Sequence, residues 1–111
     1  MIPLALIAIL LAPSEPLGAG DHSRTIKVGG LTRSYLVHVP KSYDPKKPTP
    51  VIVSLHGAAM NGPMMVTFCG LNKTADAEGF VVVYPSGTGV GPFLTWNAGG
   101  VRDGMGSKAD D

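Results

Sequence analysis

Polar and apolar positions alternate over Thr25-Ile26-Lys27-Val28 and again over Arg33-Ser34-Tyr35-Leu36-Val37-His38-Val39, with Gly29-Gly30 between the two runs. Period-two alternation on either side of a glycine pair predicts an antiparallel hairpin. Tyr35, Val37 and Val39 then share one face of the second strand, and Leu36 and His38 the other. The run Val51-Ile52-Val53-Ser54-Leu55 neither alternates nor carries charge, which predicts a strand buried on both faces. A proline-rich stretch, Pro45-Lys46-Lys47-Pro48-Thr49-Pro50, precedes it and cannot continue a regular element. His56-Gly57, Ala58, Ala59 and Asn61-Gly62-Pro63 follow, small and turn-forming residues that let the backbone bend sharply with its amides exposed. Leu71, Thr74, Ala75 and Glu78 recur at helical spacing before Gly79, predicting helix over at least the second half of 63–78 and a left-handed stop. Phe80-Val81-Val82-Val83-Tyr84 predicts a second fully buried strand, closed by Pro85-Ser86-Gly87. Strand, turn, helix and strand in this order form a βαβ unit with a right-handed crossover and a parallel pair. Beyond Tyr84 the chain reads as loop, with a helix beginning at Ser107-Lys108-Ala109-Asp110-Asp111.

A length of 111 residues holds one small domain. Nine Lys+Arg against eight Asp+Glu give a net charge of +1 with no basic stripe, so no nucleic-acid partner is expected. The 15 glycines and 10 prolines fall between apolar runs, which points to tight turns and not to disorder. Cys69 is the one cysteine, which excludes an internal disulfide and a cysteine zinc site and leaves a small core residue as its expected role. Residues 1–12 are apolar apart from Pro3 and too short to span a bilayer. With Pro13, Pro16 and Gly18-Ala19-Gly20 after them they resemble a secretory signal over 1–20, although no basic residue precedes the apolar core. A first buried strand or helix is the alternative. The signal reading implies a secreted protein, free of the membrane once cleaved, with its domain over 21–111; no cysteine follows to carry a lipid anchor.

Candidate chemistry narrows quickly. Gly87-Thr88-Gly89-Val90-Gly91 follows a strand but leads into Pro92-Phe93 instead of a helix, so it reads as a glycine-rich loop and not a dinucleotide site. Asp103, Asp110 and Asp111 lack calcium-loop spacing, and no phosphate loop is present. None of Ser14, Ser23, Ser34, Ser42, Ser54, Ser86 and Ser107 lies in a Gly-x-Ser-x-Gly elbow, since Tyr84 stands where the first glycine before Ser86 belongs. Ser54 reads as a structural strand hydroxyl and His38 as a packed strand residue without a catalytic role. His56 is expected to hold its turn through ring hydrogen bonds. The chemistry would come from the amides after it. An oxyanion formed in acyl transfer is stabilised by preorganised N–H donors, each contributing about 3 kcal/mol. Ala58 or Ala59 is small enough to admit an ester there.

In order along the chain, Arg33-Ser34-Tyr35 leading to Val39-Pro40, then 50–57 ending in His56-Gly57, then Gly70-Leu71-Asn72 through Glu78-Gly79-Phe80-Val81-Val82-Val83-Tyr84-Pro85, and Trp96-Asn97-Ala98-Gly99 resemble the N-terminal part of a polyhydroxybutyrate depolymerase or feruloyl esterase of the α/β-hydrolase family. The resemblance covers roughly residues 24 to 111. It implies an α/β fold: the N-terminal part of an α/β-hydrolase, a hairpin followed by a parallel βαβ unit, with the sheet incomplete. It also implies carboxylic-ester hydrolysis by a Ser-His-Asp triad, no metal or organic cofactor, and a polyester or plant cell-wall ester as substrate. Elbow, acid and base come later in such chains, so the expectation is a hydrolase portion truncated before its nucleophile, inactive and poorly soluble by itself. The oxyanion turn carries over onto His56, Gly57, Ala58 and Ala59, and Trp96-Asn97 onto a substrate-contacting segment. Gly100, Val101, Arg102 and Asp103 stand where family members often carry cysteines, a departure from the pattern. Two other readings stay open: a small secreted α/β binding module or decayed gene product without catalysis, and a serine peptidase of the same fold.

Overall fold

A computed structural model describes residues 15–97. The expected signal core and the segment from Ala98 onward, including Gly99, the three aspartates and the expected last helix, lie outside the described residues. Strand β1 (Gly20–Val28) and strand β2 (Leu31–Val39) form the hairpin, pairing antiparallel from Gly20 opposite Val39 to Val28 opposite Leu31. Gly29 and Gly30 close it at φ 55° and 79°, a conformation that a β-carbon would strain. Both strands begin earlier than the alternation alone predicts, because the ladder continues through polar residues once register is set.

Strand β3 (Val51–Val53) and strand β4 (Val81–Pro85) run parallel, Val51 opposite Val81 and Val53 opposite Val83. The polypeptide between them forms two helices, α1 (Gly62–Cys69) and α2 (Leu71–Glu78). One helix over this region was expected; Gly70, left-handed at φ 62°, ends α1 by donating its N–H to Val66 O and starts α2. Gly79 ends α2 in the same conformation, φ 77°. The sheet order is β1-β2-β4-β3, mixed, with β4 central.

Burial follows from that order. Val82 and Tyr84 on β4 and Ala75 on α2 are fully buried, flanked by Leu36, Met65, Val66, Leu71 and Phe80. The remaining β4 residues are half-buried, so the strand is covered less than its apolar run predicts. Strand β3 departs further. It lies at the sheet edge, and Val51, Ile52 and Val53 are 58%, 41% and 60% exposed. Two-sided burial is therefore not observed: hydrophobicity marks a strand that gains from cover, but the covering atoms must come from other elements. Cys69 is likewise exposed at the end of α1, not in the core, and Ser54 sits just past β3, half-exposed, its Oγ 4.0 Å from Cys69 Sγ.

The expected glycine-rich loop is a second, two-stranded hairpin: strand β5 (Thr88–Val90) and strand β6 (Phe93–Thr95), antiparallel, turning through Gly91 at φ 59°. Gly89 permits it, since a β-carbon there would lie 2.5 Å from Phe93 O.

Candidate active site: the turn after β3

Strands β3 and β4 end side by side, and the segments leaving them are fastened by one side chain. The imidazole of His56 is buried; its Nδ1 donates to Gly57 O at 2.7 Å, and its Nε2 accepts the N–H of Gly87 at 2.9 Å. Donating at one nitrogen and accepting at the other fixes a neutral ring in a single tautomer. Neither nitrogen is left for proton transfer, which makes His56 the latch that the sequence suggests and not a base. Glycine is required at position 87, where a β-carbon would meet Thr95 O at 2.2 Å.

Trp96, at the end of β6, closes over this latch. Its indole Nε1–H donates to His56 O at 2.8 Å, and its ring lies 4.7 Å from the imidazole, tilted by 30°. The structure thus brings Trp96 against His56, although 40 residues separate them. Asn97 follows directly in the chain.

The turn itself carries a conformational cost. Ala59 has φ 59°, the one non-glycine with positive φ among the described residues. Such a conformation costs a β-carbon-bearing residue about 1–2 kcal/mol, and residues held so concentrate at functional sites. Among the described residues, no acceptor is bonded to the backbone N–H of Gly57, Ala58 or Ala59. Met60 then rejoins regular pairing as a bridge to Leu94, its O accepting the Leu94 N–H at 2.9 Å.

Helix α1 opens immediately after this bridge. Asn61 caps it, its side chain accepting from Met64 N at 2.9 Å and donating to Pro92 O at 3.0 Å. Gly62 packs against β4, where a β-carbon would lie 2.8 Å from Tyr84 O, and its N–H donates to Ser86 Oγ at 3.0 Å. Ser86 is therefore a buried acceptor for a helix terminus. An open apolar groove of about 490 Å³, lined by Met60, Pro63, Met64, Thr67 and Phe68, borders the turn through Met60.

No serine or cysteine is hydrogen-bonded to a histidine among the described residues: His56 is latched, His22 Nε2 faces Gly18 O at 2.7 Å, and His38 lies between two carboxylates. No metal-holding cluster of His, Cys, Asp and Glu occurs among them either. What this site offers chemically is a strained turn of small residues, its N–H donors unbonded among the described residues, at the carboxyl end of a parallel strand pair, where sites in open α/β sheets form.

Comparison with known proteins adds one relationship. Over 74 residues, 67% of this chain, the sequence is 36% identical to the bifunctional acetylxylan esterase/xylanase XynS20E of Neocallimastix patriciarum. The likeness is to an enzyme of the esterase type. The matched region is 10% of that enzyme, so the chain spans about a tenth of the length of the curated relative. No protein-family model matches the chain.

The sequence marked His56, Gly57, Ala58, Ala59 and Trp96, and these meet at one place. It did not mark Gly87 as the partner of His56, or Ser86 and Asn61 as anchors of α1. Only Asn61 carried a local signal, a capping residue before Gly62-Pro63.

Proposed function

We propose that this chain is the N-terminal part of a secreted carboxylic-ester hydrolase of the α/β-hydrolase fold, whose turn at Gly57, Ala58 and Ala59 forms one half of an oxyanion hole. The observation that carries the reading is the set of amides, unpaired among the described residues, on a strained alanine turn fixed in place by a histidine bonded through both ring nitrogens. Likeness to an acetylxylan esterase/xylanase supports ester chemistry and favours an acetylated cell-wall ester over a polyester as substrate.

In this reading the serine attacks the ester carbonyl, and negative charge grows on the carbonyl oxygen while it rests on the turn amides. The Ser-His-Asp triad is supplied by sequence outside these 111 residues, and the reaction uses no metal or organic cofactor. Because the amides are already directed by the latch, no reorganisation accompanies charge development, which is how such donors lower a barrier by about 3 kcal/mol each.

The test is the reading frame that contains this segment. A Gly-x-Ser-x-Gly elbow within the next few dozen residues, followed by Asp and His, is expected, and its product is expected to hydrolyse p-nitrophenyl acetate. A stop codon directly after Asp111 in an intact gene, or a purified longer product without turnover on acetyl or feruloyl esters, would sink the proposal.

A further inference from the structure

Outside the turn, His38 is bonded through both of its ring nitrogens. It is buried on β2, on the face that packs against the helices. Its Nδ1 lies 2.5 Å from Asp21 Oδ1 on β1, directly across the ladder, and its Nε2 lies 3.0 Å from Asp76 Oδ1 on α2. A neutral imidazole carries one N–H, so one of these two nitrogens would turn its lone pair toward a carboxylate oxygen. Both contacts are attractive only if the ring is doubly protonated. With both carboxylates ionised, the geometry therefore fits an imidazolium held between them, each bond charge-assisted.

Three elements bring polar or packing groups toward the ring. From β1 comes Asp21, which Asn72 Nδ2 on α2 also approaches at 3.5 Å. From α2 comes Asp76, which also accepts the Lys41 N–H at 3.3 Å and feels the Lys41 charge. From β4 come Val82, opposite His38 in the ladder, and Tyr84, whose hydroxyl donates to Asn72 Oδ1 at 2.6 Å. Burial and the neighbouring Cys69 push the Tyr84 phenol far above its usual range, so it stays neutral through the relevant pH span. Burial alone would depress the pKa of His38, but the hydrogen bonds and charges of Asp21 and Asp76 outweigh it and hold the value raised.

The two carboxylates are not held alike. Asp76 is 30% exposed, has the Lys41 amide as a second donor, and rides on a helix anchored by the fully buried Ala75. Asp21 is 67% exposed and belongs to a strand at the sheet edge, paired on one side only among the described residues. From these placements we propose that His38 is the charged hub of a pH-sensitive clasp that fastens the Gly20 end of edge strand β1, through β2, to helix α2, and that loss of its proton lets that end of β1 leave the sheet.

The sign follows from proton linkage. The closed state binds the His38 proton more tightly than the open state, whose histidine titrates near the ordinary value of about 6.5. Clasping is complete below that value. As pH rises from there toward the raised closed-state value, the opening equilibrium constant grows by up to about tenfold per pH unit, and it levels off above.

Two measurements on the product of the whole reading frame decide the matter. Ring nitrogen NMR at pH 6.5 is expected to show both nitrogens of His38 protonated. Hydrogen exchange of the β1 amides near Asp21, corrected for the base-catalysed intrinsic rate, is expected to accelerate above pH 6.5, while amides of β4 stay protected. Asp21→Asn and Asp76→Asn are each expected to lower the His38 titration midpoint and shrink that acceleration. A His38 ring with a single proton at pH 6.5, or β1 protection that is flat from pH 6 to 9, overturns the proposal. The NMR result on the unaltered chain stands even if a variant fails to fold.

Discussion

Replacing His56 by alanine tests the latch through its energetics. The substitution removes two hydrogen bonds, to Gly57 O and from the Gly87 N–H, each worth about 1 kcal/mol net in a partly buried setting. It also removes the ring packed on Trp96, an aromatic contact worth about 1 kcal/mol beyond its area. Together the loss is about 3 kcal/mol, a large fraction of the 5–15 kcal/mol that stabilises an ordinary small domain. Trp96 is the single tryptophan and sits on the latch, so its fluorescence reports both the local environment and the unfolding transition. In dilute urea titrations His56→Ala is expected to lower the unfolding midpoint strongly and to red-shift the folded-state emission as the indole loses its cover. His56→Gln, whose amide oxygen reaches the position of Nε2, is expected to regain about 1 kcal/mol by accepting the Gly87 N–H again. A His56→Ala midpoint unchanged within error, with emission unmoved, would show that the histidine does not hold the turn.

Further expectations follow from close approaches and exposed surface. Gly62→Ala places a methyl 2.8 Å from Tyr84 O, so a change that normally stabilises a helix should here cost about 1–3 kcal/mol in thermal unfolding. Gly87→Ala, at 2.2 Å from Thr95 O, should disrupt the β5–β6 pairing and the His56 bond together, seen as loss of the Trp96 environment. Tyr84→Phe leaves Asn72 without its hydroxyl donor and should cost about 1 kcal/mol, measured by chemical unfolding. The chain is expected to self-associate through the bare edge of β3, and Val51→Lys, which sets a charge on that edge, should raise the soluble concentration in sedimentation assays; equal solubility of both proteins would argue that the edge is harmless.

How much of this was legible from residues alone depended on whether the cause was local. The Gly29-Gly30 hairpin, the Gly79 helix stop and the parallel apolar strands have short-range causes, and all three form. Gly70 carried the same left-handed signal as Gly79 but stood inside an otherwise helical pattern, so the break between α1 and α2 was missed. The β5–β6 hairpin was hidden because strands of three residues are too short to show apolar periodicity. The exposure of β3 and of Cys69 has a different cause: burial belongs to an element and its neighbours jointly. His38 shows the limit most sharply. Its partners lie 17 and 38 residues away, and no local pattern announces a histidine between two aspartates.

The decisive measurement is on the turn amides in the product of the whole reading frame. Labelled amide resonances of Gly57, Ala58 and Ala59 should be followed while a p-nitrophenyl phosphonate reacts with the nucleophilic serine. A turn that holds an oxyanion is expected to show at least one of these protons moving strongly downfield as the phosphonyl oxygen settles on it, with the amides of β1 unchanged. If the serine is fully phosphonylated and none of the three amides responds, the turn is not an oxyanion hole and the esterase mechanism proposed for it is wrong.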